Sequence, residues 1–227
     1  MVINIAHRGA SGIEPENTLR AFRRAEREGA DAVEFDLRVA LDGDLIVMHD
    51  PDVLRTTGRG GLVSEMTSSE LAGLDAGLGE PVPTFVEASR STGLELYAEM
   101  KVRQAVEPLC RLLAGGGDLT SRITLISFDH GALEEARSLL PEVRLGLISR
   151  EPSLRDLGWA REVGVGLISV WAPALEDDFV TGCHGLGISV TTWTVNDPSD
   201  MRRLIGCGVD GVVTDHPEVL GRILRRG

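Results

Sequence analysis

Asp31-Ala-Val-Glu-Phe-Asp-Leu-Arg38 decides how the rest of this sequence reads. At period two, Val33, Phe35 and Leu37 share one face of a strand, while Glu34 and Asp36 share the other. So apolar a face is a buried one. The two carboxylates opposite it, about 6.6 Å apart at a rise of about 3.3 Å per residue, then need a partner. A second stretch, Leu94-Glu-Leu-Tyr-Ala-Glu-Met-Lys101, repeats the pattern with Glu99 and Lys101 on its polar face. If both strands belong to one sheet, their acidic ends converge. Each carboxylate pair would then repel by roughly 2–3 kcal/mol at an effective dielectric of about 20. Water or a partner lysine would suffice for an isolated strand. For three carboxylates, a hard cation is the stronger reading, with Glu34, Asp36 and Glu99 as the expected metal ligands. Oxygen donors without cysteine suit Mg²⁺, Ca²⁺ or Mn²⁺ better than Zn²⁺.

Working outward from these two strands, strand-like runs recur at Val2–Ala6, Ala32–Leu37, Leu94–Glu99, Ile123–Ser127, Arg144–Ile148, Gly166–Val170, Ile188–Trp193 and Gly211–Thr214. Helical patterns lie between most of them: Thr18–Glu28, Val106–Leu113, Gly131–Leu140, Leu154–Val163, Leu175–Leu186 and Pro198–Ile205, with Glu218–Arg226 closing the chain. The joints Gly29-Ala-Asp, Gly164-Val-Gly, Gly187-Ile and Gly208-Val-Asp repeat a helix-ending glycine followed by a strand start. Eight such units in 227 residues predict an α/β fold of the closed (β/α)₈ TIM-barrel type, one domain over residues 1–227. No GxGxxG follows a strand, which argues against a dinucleotide-binding sheet. One break interrupts the alternation. Leu41-Asp-Gly-Asp44 is a turn signal, and Leu45–His49 a short strand, so a hairpin is expected after the second strand. Residues 51 to about 82, with a short helix near Ser68–Leu74, read as an insertion at the catalytic rim.

A formal net charge of −12 and 42% hydrophobic residues describe an ordinary globular, acidic chain. Such a charge disfavours nucleic acid or an anionic membrane as a partner. Cys110, Cys183 and Cys207 are odd in number, with no CxxC pair, which fits reduced thiols in the cytoplasm. Met1-Val-Ile-Asn-Ile-Ala6 reads as a first strand rather than a secretion signal, and no run is long enough for a membrane span. Of 23 lysines and arginines, one is a lysine, Lys101. Either it survived by chance, or its site needs a compact ammonium instead of a planar fork.

In a barrel, polar residues at the carboxyl ends of strands carry the chemistry. Those ends hold His7 and Arg8; Glu34 and Asp36; His49 and Asp50; Glu99 and Lys101; Ser127; Trp193 and Asn196; and Thr214 and Asp215. Carboxylates holding a cation, two placed cationic side chains and two histidines make a set for phosphoryl transfer, one histidine taking a proton and the other giving one. Glu16-Asn17-Thr18 could present a helix N-terminus to an anion, or Asn17 or Thr18 could simply cap that helix. His130, His184, Trp159, Trp171 and the Arg222–Arg226 cluster read as surface or packing residues.

The motifs His7-Arg8-Gly9, Pro15-Glu-Asn-Thr18, Glu34-Phe-Asp36, His49-Asp50, Glu99-Met-Lys101, Ser127-Phe128, Trp193-Thr-Val-Asn196 and Gly208-Val-Asp-Gly-Val-Val-Thr-Asp215 occur in this order. The pattern resembles the glycerophosphodiester phosphodiesterases, in their compact bacterial cytosolic form, over nearly the whole chain. The resemblance implies Mg²⁺ or Ca²⁺ on Glu34, Asp36 and Glu99, and His7 and His49 as the acid/base pair, His7 accepting and His49 donating. It implies Arg8 and Lys101 on the phosphate, Trp193 beside the glycerol, and release of sn-glycerol 3-phosphate and an alcohol from a small glycerophosphodiester. Tyr97 stands where relatives often carry a smaller residue and His216 occupies a variable position, which points to an altered pocket floor and rim. A lysophospholipase D-like relative would need an apolar lip, for which residues 58–82 look too polar. A catalytically inactive binding barrel would be expected to have lost a ligand or a histidine. The sequence leaves open the alcohol, the choice of Mg²⁺ or Ca²⁺, whether water or a glycerol hydroxyl attacks first, and the oligomeric state.

Overall fold

The decisive stretch forms the strand Ala32–Val39 (β2), which pairs in parallel with Ile3–His7 (β1) on one side and Glu95–Met100 (β4) on the other. Leu45–Val47 (β3) folds back on the far end of β2 as an antiparallel hairpin. The computed structural model describes residues 1–225. From β4 the sheet continues in parallel through Ile123–Ser127 (β5), Arg144–Ser149 (β6), Leu167–Trp171 (β7), Ser189–Trp193 (β8) and Gly211–Thr214 (β9). β9 pairs with β1, so eight parallel strands close into the expected (β/α)₈ barrel.

Around it run Leu19–Arg27 (α1), Leu54–Thr57 (α2), Ser68–Ala72 (α3), Phe85–Arg90 (α4), Val106–Leu113 (α5), Asp118–Ser121 (α6), His130–Leu139 (α7), Leu154–Val163 (α8), Asp177–Gly185 (α9), Pro198–Gly206 (α10) and Pro217–Leu224 (α11). The ends of the expected strands and helices differ from the observed ones by at most two residues, and β5, β9, α5 and α8 match at both ends. The last position expected in α11, Arg226, lies outside the described residues. No helix among those described is long and apolar enough to cross a membrane.

Side-chain alternation places β2 as its sequence requires. Phe35 and its neighbours Val33 and Leu37 are fully buried beneath the helices. The Phe35 ring packs between Phe22 of α1 and Phe85 of α4, with centroids 5.8 and 6.2 Å away. Truncating such a ring to alanine typically costs about 3–5 kcal/mol. The interior face carries Glu34 and Asp36 in register with Tyr97 and Glu99 of β4. The four glycine joints all take the left-handed conformation, at φ between +72° and +86°.

Three helices had no expectation behind them, the four-residue α2 and α6 and the longer α4. α4 makes the crossover from β2 and its hairpin to β4, and at six residues it is too short to display a 3.6-residue period. Its mark in the sequence is a capping box, in which Thr84 accepts from the Glu87 N–H and Glu87 accepts from Thr84.

The insertion over residues 51–82 has a small core of its own. Ile46 and Met48 from the hairpin pack there with Val53, Val63, Leu71 and Val82, separately from the main core. Inside the barrel, the half-buried Tyr97 touches both interior clusters, Ile5 with Val213 and Ile126 with Ile148. It lines a cavity of about 400 Å³ at the amino ends of the strands. Another cavity, of about 290 Å³, opens at the carboxyl ends and is lined by His7, His49, Glu34, Glu99 and Lys101. Tyr97 thus lies beneath that second cavity, outside its lining.

Candidate active site

Glu34, Asp36 and Glu99 are all buried, and each offers an oxygen within 4.8 Å of the others. This set of hard oxygen donors is able to hold a divalent cation. The protonation chemistry points the same way. Burial and the charge of Asp36 push Glu34 up to about 8, and burial with Asp36 also raises Glu99. Asp36 is buried as well, yet Arg8 and Lys101 hold it below the ordinary carboxylate range. The cluster therefore lacks positive charge, which a cation would supply.

The loop after β1 wraps the cluster from one side. Gly9 has φ +82°, and a Cβ there would lie 2.7 Å from the Ala21 backbone, so the loop can lie against α1 only as glycine. Arg8 and Asn17 share that left-handed region at φ +54° and +58°. The Arg8 N–H donates to Glu34 Oε2 at 3.1 Å, and its Nε lies 3.2 Å from Asp36 Oδ2 as an ion pair too oblique for a hydrogen bond. The Asn17 amide donates to the same Asp36 oxygen at 2.9 Å. Thr18, not Asn17, caps α1 by accepting from the Ala21 N–H, which leaves the Asn17 side chain free for Asp36. Lys101 closes the other side, its Nζ 2.8 Å from Glu99 Oε1 and 3.5 Å from Asp36 Oδ1.

Each histidine is held by an aspartate. His7 Nδ1 lies 2.7 Å from Asp215 Oδ1, and a carboxylate only accepts, so Nδ1 carries the proton and Nε2 is left for other chemistry. That Nε2 is 4.0 Å from Glu34 Oε2. Asp215 is itself fixed by Ser11 Oγ at 2.9 Å and by the Asn196 amide at 2.6 Å. Burial opposes the charging of His7, but the bond to Asp215 and the charge of Glu34 outweigh it and hold the imidazole above its ordinary value. His49 Nδ1 likewise bonds Asp50 Oδ1 at 2.7 Å. Burial, together with the charges of Arg8 and Lys101, keeps His49 below its ordinary value.

Arg55, from α2 of the insertion, joins the two halves of the rim. It donates to Asp50 and, through both terminal nitrogens, to Glu16 at 2.7 and 2.8 Å. Glu16 in turn accepts from Arg8 at 2.9 Å. Arg55 and His49 draw Asp50 down to about 2 against the effect of its burial. Across the mouth stands an aromatic wall, where Phe128 meets Trp193 edge-on at 5.7 Å and the Trp193 indole N–H donates to Ser169 O.

All eight residues singled out in the sequence, His7, His49, Arg8, Lys101, Trp193, Glu34, Asp36 and Glu99, come together here. The orienting groups were not foreseen: Asp215 toward His7, Asp50 and Arg55 toward His49, and Asn17 toward Asp36. Asp50 had a local signal, being adjacent to His49, whereas Arg55 and Asp215 reach the site only through tertiary contacts. Ser127 turns to the Met100 carbonyl at 3.0 Å and takes no place in the cavity lining. His216 packs on Gly12 at the rim, where a Cβ would lie 2.3 Å from its ring. The discounted residues sit apart. His130 meets Trp159 edge-on at 4.2 Å, His184 bonds Asp210 at 2.8 Å, and Trp171 is 40% exposed.

Comparison with known proteins agrees with this arrangement. A glycerophosphodiester phosphodiesterase of Caldanaerobacter subterraneus subsp. tengcongensis is 32% identical, with 98% of each chain covered. One from Bacillus subtilis is 29% identical over 98% of this chain and 86% of its own. Among solved structures, an Oleispira antarctica phosphodiesterase in complex with the product sn-glycerol-3-phosphate superimposes with a TM-score of 0.92 at 28% identity, covering 97% of this chain and 96% of that one. A glycerophosphodiester phosphodiesterase from Thermotoga maritima gives 0.86 at 27% identity, over 98% and 99%. The sequence profile of one family matches residues 7–219, from the first histidine of the site into the last helix, and this chain belongs to that family, the glycerophosphoryl diester phosphodiesterases.

Proposed function

We propose that this chain hydrolyses glycerophosphodiesters to sn-glycerol 3-phosphate and an alcohol, as one catalytic domain over residues 1–227 with its insertion at about 51–82. The observation that carries the reading is the pairing of the buried Glu34–Asp36–Glu99 cluster with two aspartate-oriented histidines in one cavity. Glu34, Asp36 and Glu99 would hold Mg²⁺ or Ca²⁺, which when bound supplies Lewis-acid charge stabilisation to a phosphate oxygen. Arg8 and Lys101 bind the phosphate from either side, Arg8 through its guanidinium and Lys101 as a point charge. His7 Nε2 accepts the proton of the attacking hydroxyl, and His49 donates one to the departing alcohol.

In the bare chain the two imidazoles are biased the opposite way, His7 upward and His49 downward. A cation held by Glu34 would take up part of that carboxylate's pull on His7, and a phosphodiester anion facing Arg8 and Lys101 would offset their charge beside His49. Trp193 and Phe128 receive the carbons of the glycerol arm. Three free cysteines suit a reducing compartment, which supports the reading that the enzyme works in the cytoplasm. The test is glycerol 3-phosphate release from glycerophosphocholine, glycerophosphoethanolamine and glycerophosphoglycerol, with and without chelator. Turnover of at least one diester that stops with chelator is expected. No release from any of them, with Mg²⁺ or Ca²⁺ present, overturns the reading.

A further inference from the structure

Arg150 follows β6 at the mouth of the cavity that holds the histidines. Its guanidinium carbon lies 5.2 Å from the Trp193 ring centroid and 6.0 Å from that of Phe128, so it caps the aromatic wall. It differs from the other cations of the cavity. Arg8 and Lys101 are bound to Asp36, Glu16 and Glu99, whereas Arg150 makes no ion pair and no side-chain hydrogen bond among the described residues. A guanidinium against aromatic rings keeps its N–H donors at its edge, aimed away from the wall and available to a ligand.

The ring of strands fixes which part of a ligand meets those donors. Going round the barrel, β6 stands four strands from β1, directly across the mouth from His7. His49 belongs to the hairpin beside β2, away from the wall. A phosphate between Arg8 and Lys101 therefore sends one ester arm toward His49 and the other along Trp193 to Arg150. The inference rests on the functional reading above, in which His49 faces the departing alcohol. The arm along the wall is then the glycerol.

We propose that Arg150 is a specificity-determining residue, which hydrogen-bonds the free hydroxyls of the glycerol arm and excludes glycerol that carries an acyl chain. Two vicinal hydroxyl oxygens suit the forked donors of a guanidinium. A hydrocarbon chain in the same place would cover those donors without pairing them, and a site built to bond a hydroxyl rejects its absence for that reason. The selected class is fully deacylated glycerophosphodiesters; the rejected class is lysophospholipids.

The experiment compares wild type, Arg150→Leu and Arg150→Lys. The inhibitors are sn-glycerol 3-phosphate and propyl phosphate, which lacks both hydroxyls. The substrates are glycerophosphocholine and 1-hexanoyl-lysophosphatidylcholine kept below its micelle concentration. Bonds from a charged donor predict that wild type prefers glycerol 3-phosphate over propyl phosphate by about tenfold or more. Arg150→Leu should reduce that preference to about twofold, with Arg150→Lys between, and the kcat/KM ratio of glycerophosphocholine to the acylated substrate should fall about tenfold in parallel. An unchanged inhibitor preference in Arg150→Leu overturns the proposal. So does a change confined to the choice between glycerophosphocholine and glycerophosphoglycerol, which would put the guanidinium on the alcohol side. Wild type is assayed first on all the glycerophosphodiesters. Failure there removes the functional reading itself and is seen separately from any effect of Arg150.

Discussion

Asn17 donates its backbone N–H to the carbonyl of Arg8 at 3.0 Å, and both residues hold left-handed backbone while their side chains meet on Asp36. A non-glycine residue there is strained by roughly 1–2 kcal/mol, with asparagine among the more tolerant. The loop thus stores strain where it steadies a carboxylate of the cluster.

Asn17→Gly should keep the loop conformation and remove only the bond to Asp36, whereas Asn17→Ala should lose both. Alanine is expected to be less stable than glycine by about 1 kcal/mol, against the usual order of the two residues. Urea midpoints measure the difference. Both variants should bind Mg²⁺ several-fold more weakly than wild type, and wild-type affinity in both would dissociate Asn17 from the cluster.

Chelator should abolish activity, and Mg²⁺ or Ca²⁺ should restore it. Because three buried carboxylates lie within 4.8 Å, the protein should also melt higher with a divalent cation than in EDTA. Glu34→Gln removes one of the repelling charges, so its melting temperature should depend less on the cation while its affinity falls. Full turnover in excess chelator would sink the metal assignment.

His7→Ala and His49→Ala should each lower turnover by about 10²–10⁴-fold. The aspartates behind them are expected to matter less, since they orient without touching substrate. Asp215→Asn keeps a polar group beside His7 and should preserve folding while lowering kcat more than it changes KM. If His130→Ala proves as harmful as His7→Ala, the pair has been misassigned.

Lys101 touches two of the three carboxylates, Glu99 and Asp36. Lys101→Arg should lose most activity with folding and metal content near wild type, because a planar fork does not fit where a point charge does. Lys101→Met should be at most about tenfold worse, a further 1.4 kcal/mol on the transition state. Removing this cation should also tighten Mg²⁺ binding, measured by calorimetry. Near-normal rates for Lys101→Arg would make its status as the lone lysine accidental.

The Asp50–Arg55 contact gives a pH test. Asp50 is lowered to about 2 in the folded chain, below its ordinary value. Its contribution to stability is therefore complete above the ordinary carboxylate range and disappears as pH falls through about 2. Arg55→Ala should cost stability at pH 7, and the cost should shrink as pH falls from 4 toward 2. A stability difference that is flat across that window would show that Arg55 acts by packing alone.

The barrel was legible because Val33, Phe35 and Leu37 alternate with Glu34 and Asp36, and because glycine joints repeat between units. The eight site residues were legible because each ends a strand, or the hairpin, at one rim. α2, α4 and α6 were missed, since four to six residues show no period. Asp215 and Arg55 were missed as partners because pairing across the barrel closure and across the insertion is a property of the fold, whereas Asp50 stood beside His49 in the sequence. Arg150 gave no signal at all. One exposed arginine among many acquires meaning only beside Trp193 and Phe128.

The separate core beneath the insertion divides the enzyme's inheritance into two lots. The carboxylates, His7, Arg8 and Lys101 belong to the barrel, whereas His49 adjoins Met48, which is packed into the small neighbouring core. Arg55, through Glu16 and Asp50, is the rivet between them. A lineage could remodel the surface around His49, or an engineer could graft residues 51–82 from a relative, and leave the carboxylate half untouched so long as the rivet is kept.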